Sequence, residues 1–312
     1  MLSRLAESLY WIGRYVERAE NTARMLNVNY YATLEAGGRV SEEWKPLLDI
    51  SGTKHGFADH RGRAEAHSVA AWLAFDRRNA SSIASSLARA RENARGLRDR
   101  LPSEMWEELN RAYLDLCFQS EEVLERDGLY EYCSAARDAS QMFFGIAFAT
   151  LPRDEGWSFM RAGQMLERGD NVLRLLQVRY GKGGSVPTPV QAAVDNHRWM
   201  AVLKTVSAYE AYRKCEHGGL NPRTIARFLI LDADFPRSVR SSGENLHHAL
   251  ERIERLHPRL HPELLREAKW LLARLEHASV DDILDGQGPD LDTLLSDFNT
   301  VGSAIYAAYF TV

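Results

Sequence analysis

The chain states one helical segment twice, and any fold it adopts has to place both copies. Gly13-Arg14-Tyr15-Val16-Glu17-Arg18-Ala19-Glu20-Asn21 returns as Gly163-Gln164-Met165-Leu166-Glu167-Arg168-Gly169-Asp170-Asn171, an offset of 150 residues that also carries Arg24 onto Arg174. Any amphipathic helix can repeat its leucines, so the shared charged and small positions are what point to a duplicated unit. Farther on, Val69 to Asp76 reads against Ile225 to Asp232, and Ser82-Ile83 with Ser85-Ser86 against Ser238-Val239 with Ser241-Ser242, both at an offset of 156. Trp44 and Leu48 match Trp199 and Leu203 at 155. The reading is two tandem helical repeats, residues 1–151 and 152–312, with the second starting near Pro152.

From Leu5 the apolar residues Leu9, Ile12, Val16, Ala19, Ala23 and Leu26 alternate steps of three and four, which predicts one long amphipathic helix over 3–35. Gly37-Gly38 is placed to end it. A short helix follows around Trp44-Leu48, then a polar stretch over 53–64. Helices are predicted near 65–75, 80–101, 103–126 and 129–149, and in the second half near 156–180, 189–213, 222–231, 237–257, 262–277 and 289–310. Thr188-Pro189 and Asn221-Pro222 each put a capping side chain before a proline at the first helical position. Gly286-Gln287-Gly288-Pro289 separates the last helix. No alternating strand pattern of useful length occurs. The fold class expected is all-α: an internally duplicated helical bundle of about six helices per half, related by a pseudo-twofold and packed as one body because neither half buries its apolar faces alone.

Composition excludes several classes. With 45% hydrophobic and 26% charged residues the chain is globular. A formal net charge of -4 gives no general attraction to nucleic acid or acidic membranes. Of the 39 basic residues only Lys45, Lys54, Lys182, Lys204, Lys214 and Lys269 are lysines, so arginine, the side chain suited to bidentate carboxylate pairing, dominates. The three cysteines have no paired spacing and read as reduced, with Cys117 and Cys133 in apolar helical pattern. Arg4 and Glu7 interrupt the first apolar stretch, and no run reaches membrane-spanning length. The expectation is a cytoplasmic protein.

On a helical wheel Gly13, Glu17, Glu20 and Arg24 fall beside the apolar stripe, and Gly163, Glu167, Asp170 and Arg174 occupy the same places in the second copy. Carboxylates and arginines beside a core need partners. The stripe Arg14, Glu17, Arg18, Glu20, Asn21 and Arg24, with Glu167, Arg168, Asp170, Asn171 and Arg174, is therefore either an interhelical ion-pair network or the wall of a polar cleft. In such a cleft the arginines would hold an anion and a glutamate would handle a proton. A helical di-metal site lacks its Glu-x-x-His partner. A second candidate, for an anion, lies where Asp76, Arg77 and Ser82, and likewise Arg237 and Ser238, lead into helix starts, the alternative being ordinary capping. His257 and His261 are spaced as metal ligands, but Pro258 and Pro262 break the turn, and His55, His60 and His67 read as loop residues. No metal or cofactor is called for.

The segment Leu9-Tyr10-Trp11-Ile12-Gly13-Arg14-Tyr15-Val16-Glu17-Arg18-Ala19-Glu20-Asn21-Thr22-Ala23-Arg24 resembles the opening signature of the alpha-E family, an all-helical bacterial family named for its Glu-Arg motif. Phe75 to Asn79 with Ser82-Ile83, Ala90 to Arg95, and Phe235 to Val239 resemble its later blocks. The resemblance spans nearly the whole chain and carries the motif onto Glu17-Arg18 and Glu167-Arg168, with Gly169 in place of Ala19 and Gln164 in place of Arg14. It implies genes beside, or fused to, circularly permuted ATP-grasp ligases and transglutaminase-like proteins. The implied function is that of a helical accessory or partner protein in peptide or amide-bond synthesis, binding the ligase or a peptide or amino-acid intermediate. The alternatives are an enzyme that uses the Glu/Arg stripe, and a scaffold in which the stripe only joins the halves.

Overall fold

The three-and-four spacing of α1, Ser3–Glu35, buries Ile12, Val16, Ala19, Ala23 and Leu26 completely, and burial extends beyond that stripe to Glu17, Glu20, Asn21 and Thr22, so that no residue from 5 to 30 is fully exposed. The computed structural model describes residues 3–35, 44–125, 128–180, 189–256, 261–285 and 288–311, and the described residues form sixteen helices and no strand. They fall into two units, one ending at Glu167 and the other running from Arg168 to Thr311, so the division lies inside helix α9, Glu155–Tyr180.

In the first unit α1 packs on α5, Ile83–Arg95, and on α8, Leu129–Thr150, while α6, Ser103–Leu116, closes against both α5 and α8. The result is a four-helix ring whose centre holds Ile83, Leu87 and Ala90 from α5, Met105 from α6 and Phe143 from α8. Each large side chain buried there contributes about 1.5–3 kcal/mol. Three short helices, α2 (Lys45–Ile50), α3 (Lys54–Arg61) and α4 (Ala66–Ala74), pack together beside the ring, with Trp44 and Trp72 buried. Helix α7, Glu122–Glu125, leads into α8.

The second unit has the C-terminal part of α9, then α10 (Pro189–Thr205), α11 (Tyr209–Cys215), α12 (Pro222–Leu231), α13 (Val239–Leu256), α14 (Pro262–His277), α15 (Val280–Asp285) and α16 (Leu291–Tyr309). Helix α14 packs on α13 and α16, and α12 touches α10, α13, α14 and α15.

Several boundaries differ from the sequence reading, each for a physical reason. The stretch 53–64, read as polar loop, contains α3, so His55 and His60 are helical, and His67 lies in the first turn of α4, Ala66–Ala74. Its one buried side chain, Phe57, meets the Trp72 ring edge-on at 6.0 Å, and His60 stacks on the same indole, so a tertiary contact holds two turns that periodicity does not announce. The helix predicted over 189–213 is two. Ser207 has φ 53, its N–H reaches the Lys204 carbonyl at 3.0 Å, and the Ala208 N–H reaches the Leu203 carbonyl at 2.7 Å, with Leu203 and Ala208 both buried. That is a left-handed helix stop in which serine takes the position usually given to glycine. The helix predicted over 103–126 also divides, at Cys117, whose thiol donates to the Ala84 carbonyl, and α15 was not foreseen. The sixteen helices among the described residues therefore exceed the expected dozen.

The Asn221-Pro222 start is as read: the Asn221 side chain accepts from the N–H groups of Arg223 and Thr224. Gly37-Gly38, Thr188 and Gly286-Gln287 lie outside the described residues. No helix among the described residues is long and apolar enough to cross a membrane.

Candidate functional site

The repeated segments meet within the first unit. Helix α1 and the N-terminal part of α9 touch backbone to backbone: a Cβ added to Gly13 would collide with the Met160 carbonyl oxygen, and one added to Gly163 would collide with the Tyr10 carbonyl oxygen. The two glycines thus serve one close approach.

That approach brings Glu167 of α9 onto the α1 face carrying Arg14 and Arg18. Arg18 grips the carboxylate with both ends of its fork, Nε to Oε1 at 2.6 Å and Nη2 to Oε2 at 2.9 Å, while Arg14 Nε donates to Oε2 at 2.8 Å. The Arg14 guanidinium lies against the Tyr10 and Trp11 rings and Arg18 against Tyr15, so packing fixes both donors. Burial pushes the Glu167 carboxyl up, but the charges of Arg18 and Arg14 and their hydrogen bonds outweigh it and hold the group down at about 2.

Glu17, fully buried, accepts from Gln164 Nε2 at 3.1 Å, and the Gln164 carbonyl oxygen accepts from Arg161 at 2.7 Å. Gln164 stands where the first copy has Arg14, and each of the two donates to the glutamate of the other helix. Glu20 is 2% exposed and takes both Nε and Nη2 of Arg24, at 2.9 and 2.8 Å, with Gln141 Nε2 at 3.5 Å. Asn21 is buried on the same helix.

In the second unit Arg174 repeats the intrahelical pairing on Asp170, at 2.7 and 3.3 Å. Arg168 donates to the Pro236 carbonyl at 3.4 Å, and Asn171 is half-buried. Gly169 departs from Ala19 because the Phe298 ring of α16 fills the space a Cβ would need.

At the serine-led helix starts, capping claims much of the chemistry. Ser82 Oγ accepts from the Ser85 N–H at 3.1 Å, and Ser238 Oγ from the Ser241 N–H at 2.9 Å. Arg77 donates to the Ala84 carbonyl at 2.7 Å, and Arg237 is half-buried. Asp76 is held differently. Its carboxylate receives Arg78 through Nε and Nη2 and Arg61 through Nε and Nη2, and Arg61 continues to Glu121 at 2.5 Å. The Arg78 hydrogen bonds hold the Asp76 carboxyl far below the ordinary carboxylate range. Sequence reasoning missed Arg61, Glu121 and Gln164: the first lay in the stretch read as loop, and no local spacing ties Arg61 to Glu121 or Gln164 to Glu17.

Among the described residues no three His, Cys, Asp or Glu side chains come together to hold a metal ion. His247 is buried beside His248, His261 rests against Tyr309, and His257 lies outside the described residues. All three cysteines are free, and burial pushes the Cys117 thiol up to about 11.

The Glu167 cluster has a pH signature. Unfolded, this carboxyl titrates near its ordinary 4.5, and folded near 2, so the unfolded chain binds the extra proton between those values. The stabilisation is complete above pH 4.5 and is lost as pH falls toward 2. The urea midpoint, followed from pH 7 downward, should fall through that window, and Glu167→Gln should flatten the part of the slope due to this group.

An all-helical chain whose repeated Glu-Arg segments cross on paired glycines belongs with families defined by such a motif. Residues 1–310 match the Alpha-E family, described as a predicted alpha-helical domain with a conserved ER motif, and the chain belongs to that family. It is similar to uncharacterized proteins of Mycobacterium bovis and Mycobacterium tuberculosis, each 28% identical over 324 residues that cover 90% of this chain and 36% of the relative. The chain thus spans about a third of the length of these curated relatives. No solved structure matches it.

Proposed function

We propose that this chain is a helical accessory unit of a cytoplasmic ATP-grasp-type ligase system acting in peptide or amide-bond synthesis or modification, and that the Glu-Arg motif clamps its own helices. The observation that carries the clamp is the saturation of Glu167 by three N–H donors from Arg14 and Arg18 at 2.6 to 2.9 Å. A general acid or base must reach a substrate atom, and this carboxylate is already spent on two arginines and is held ionised far below neutral pH. Glu17 and Glu20, at 0% and 2% exposure, are equally withdrawn from solvent.

The same reading takes the chain as a tandem duplication about a local twofold. It is supported by reciprocal pairs: Gly13 against Met160 with Gly163 against Tyr10, Arg14 on Glu167 with Gln164 on Glu17, and Glu20–Arg24 with Asp170–Arg174. It is also supported by two like caps, Ser82 bonding Asn79 and Ser85, Ser238 bonding Phe235 and Ser241.

The partnership follows from the family resemblance, and the relatives support it in being much longer than this unit: 64% of their length lies beyond the match, so in them an Alpha-E unit is joined to further sequence. Co-expression of the tagged chain with an ATP-grasp-type ligase encoded beside it should yield a complex that survives gel filtration, for wild type and for Glu17→Gln alike. Absence of a wild-type complex would sink the partnership. A folded Glu17→Gln chain that keeps the complex but abolishes turnover would make the stripe catalytic and overturn the clamp.

A further inference from the structure

In the first unit the end of α3, the loop after α4 and the start of α7 enclose an open groove of about 510 Å³, lined among others by Arg61, Phe75, Asp76, Arg78, Glu121 and Glu122. Asp76, 5% exposed at its side chain, is the fixed point of this groove. It binds the Nε and Nη2 edges of both arginines, Arg78 at 3.0 and 2.6 Å and Arg61 at 2.9 and 2.6 Å. The Nη1 groups of Arg61 and Arg78 take no hydrogen bond among the described residues, so two oriented cationic donors remain, on side chains 17% and 53% exposed. Across the groove Glu121, 41% exposed, uses Oε1 on Arg61 and keeps Oε2 unbonded among the described residues, with Glu122 exposed next to it.

The charges decide what fits. Asp76 and Glu121 cancel Arg61 and Arg78, so a simple anion meets no net attraction, and the exposed Glu122 repels it. A molecule that carries both signs and no net charge can instead place a carboxylate on the guanidinium edges and an ammonium on the glutamates. We infer that this groove binds a short peptide through its free carboxylate and free amino group, with Phe75 as the apolar wall. This goes beyond the proposed accessory role and rests on that reading only for the ligand's use.

Isothermal titration with triglycine, N-acetyl-triglycine, triglycine amide and inorganic phosphate tests it. Triglycine should give saturable binding, and capping either terminus should weaken it about tenfold or more, the worth of one charged hydrogen-bonded contact. Arg78→Gln should weaken triglycine similarly while the chain stays folded, since the side chain is half-exposed and Asp76 keeps Arg61. Glu122→Gln, at an exposed position, should weaken it severalfold. No saturable binding at millimolar triglycine, phosphate binding as tightly as triglycine, or an Arg78→Gln chain that binds like wild type would each overturn the inference. Loss of triglycine binding with the ligase complex intact rejects the groove alone, whereas a chain that binds triglycine and forms no complex rejects the partnership alone.

Discussion

Replacing Glu167 by alanine should lower the stability of the first unit by about 3 kcal/mol, the scale for removing one partner from a buried ion cluster. Arg14 and Arg18 are 18% and 21% exposed and both aim at the same carboxylate, so its loss leaves two guanidiniums facing each other with little water to screen them. Neither can swing away without giving up the ring under it, Tyr10 and Trp11 for Arg14 and Tyr15 for Arg18. Glu167→Gln keeps the shape and one acceptor but not the charge, and should lose less. Arg24→Ala takes the intrahelical fork off Glu20 and leaves the bonds from Arg14 and Arg18 to Glu167 in place, so it separates the loss of a pair within α1 from the loss of the α1 contact with α9. Urea unfolding followed by circular dichroism at neutral pH measures the series. A loss for Glu167→Ala of under about 1 kcal/mol would place this cluster with ordinary surface pairs and end the clamp reading.

How much of this could be read in the sequence depends on the range of each interaction. The α1 periodicity is local, and the helix runs over the residues it predicts, Ser3–Glu35. The i,i+4 pairs Glu20–Arg24 and Asp170–Arg174 are local too, and both form as the wheel places them. Ser82 and Ser238 cap α5 and α13. The bonds from Arg14 and Arg18 to Glu167 span 153 and 149 residues, and no spacing rule connects such positions. Only the repeat marked both segments as special, without saying that they touch. Arg61 was hidden for another reason: its short helix is held by Phe57 and His60 on Trp72, and a tertiary contact leaves no period in the sequence. At Ser207 the backbone takes a conformation that glycine usually announces, and the serine concealed a helix end.

The glycine pair gives the second large effect, and its sign is the informative part. Alanine exceeds glycine by about 1 kcal/mol in helix propensity, so Gly13→Ala in isolation should stabilise α1. At this crossing the new Cβ meets the Met160 carbonyl oxygen and stands 3.0 Å from the Gln164 nitrogen, and backbone atoms cannot rotate aside as a side chain would. The helices must separate, which stretches the Arg14 and Arg18 bonds to Glu167 at the same time. A net loss of about 2–3 kcal/mol is expected, with a similar loss for Gly163→Ala, whose Cβ meets the Tyr10 carbonyl oxygen. Since one separation relieves both collisions, the double variant should cost clearly less than the two single losses added together. Gly145→Ala is the control: it lies in the middle of α8 with nothing within 4 Å of the added carbon, so propensity alone acts and stability should rise by about 0.5–1 kcal/mol. If Gly13→Ala shifts the unfolding midpoint upward as Gly145→Ala does, α1 and α9 do not approach this closely, and the carboxylate clamp, which needs that approach, fails with it.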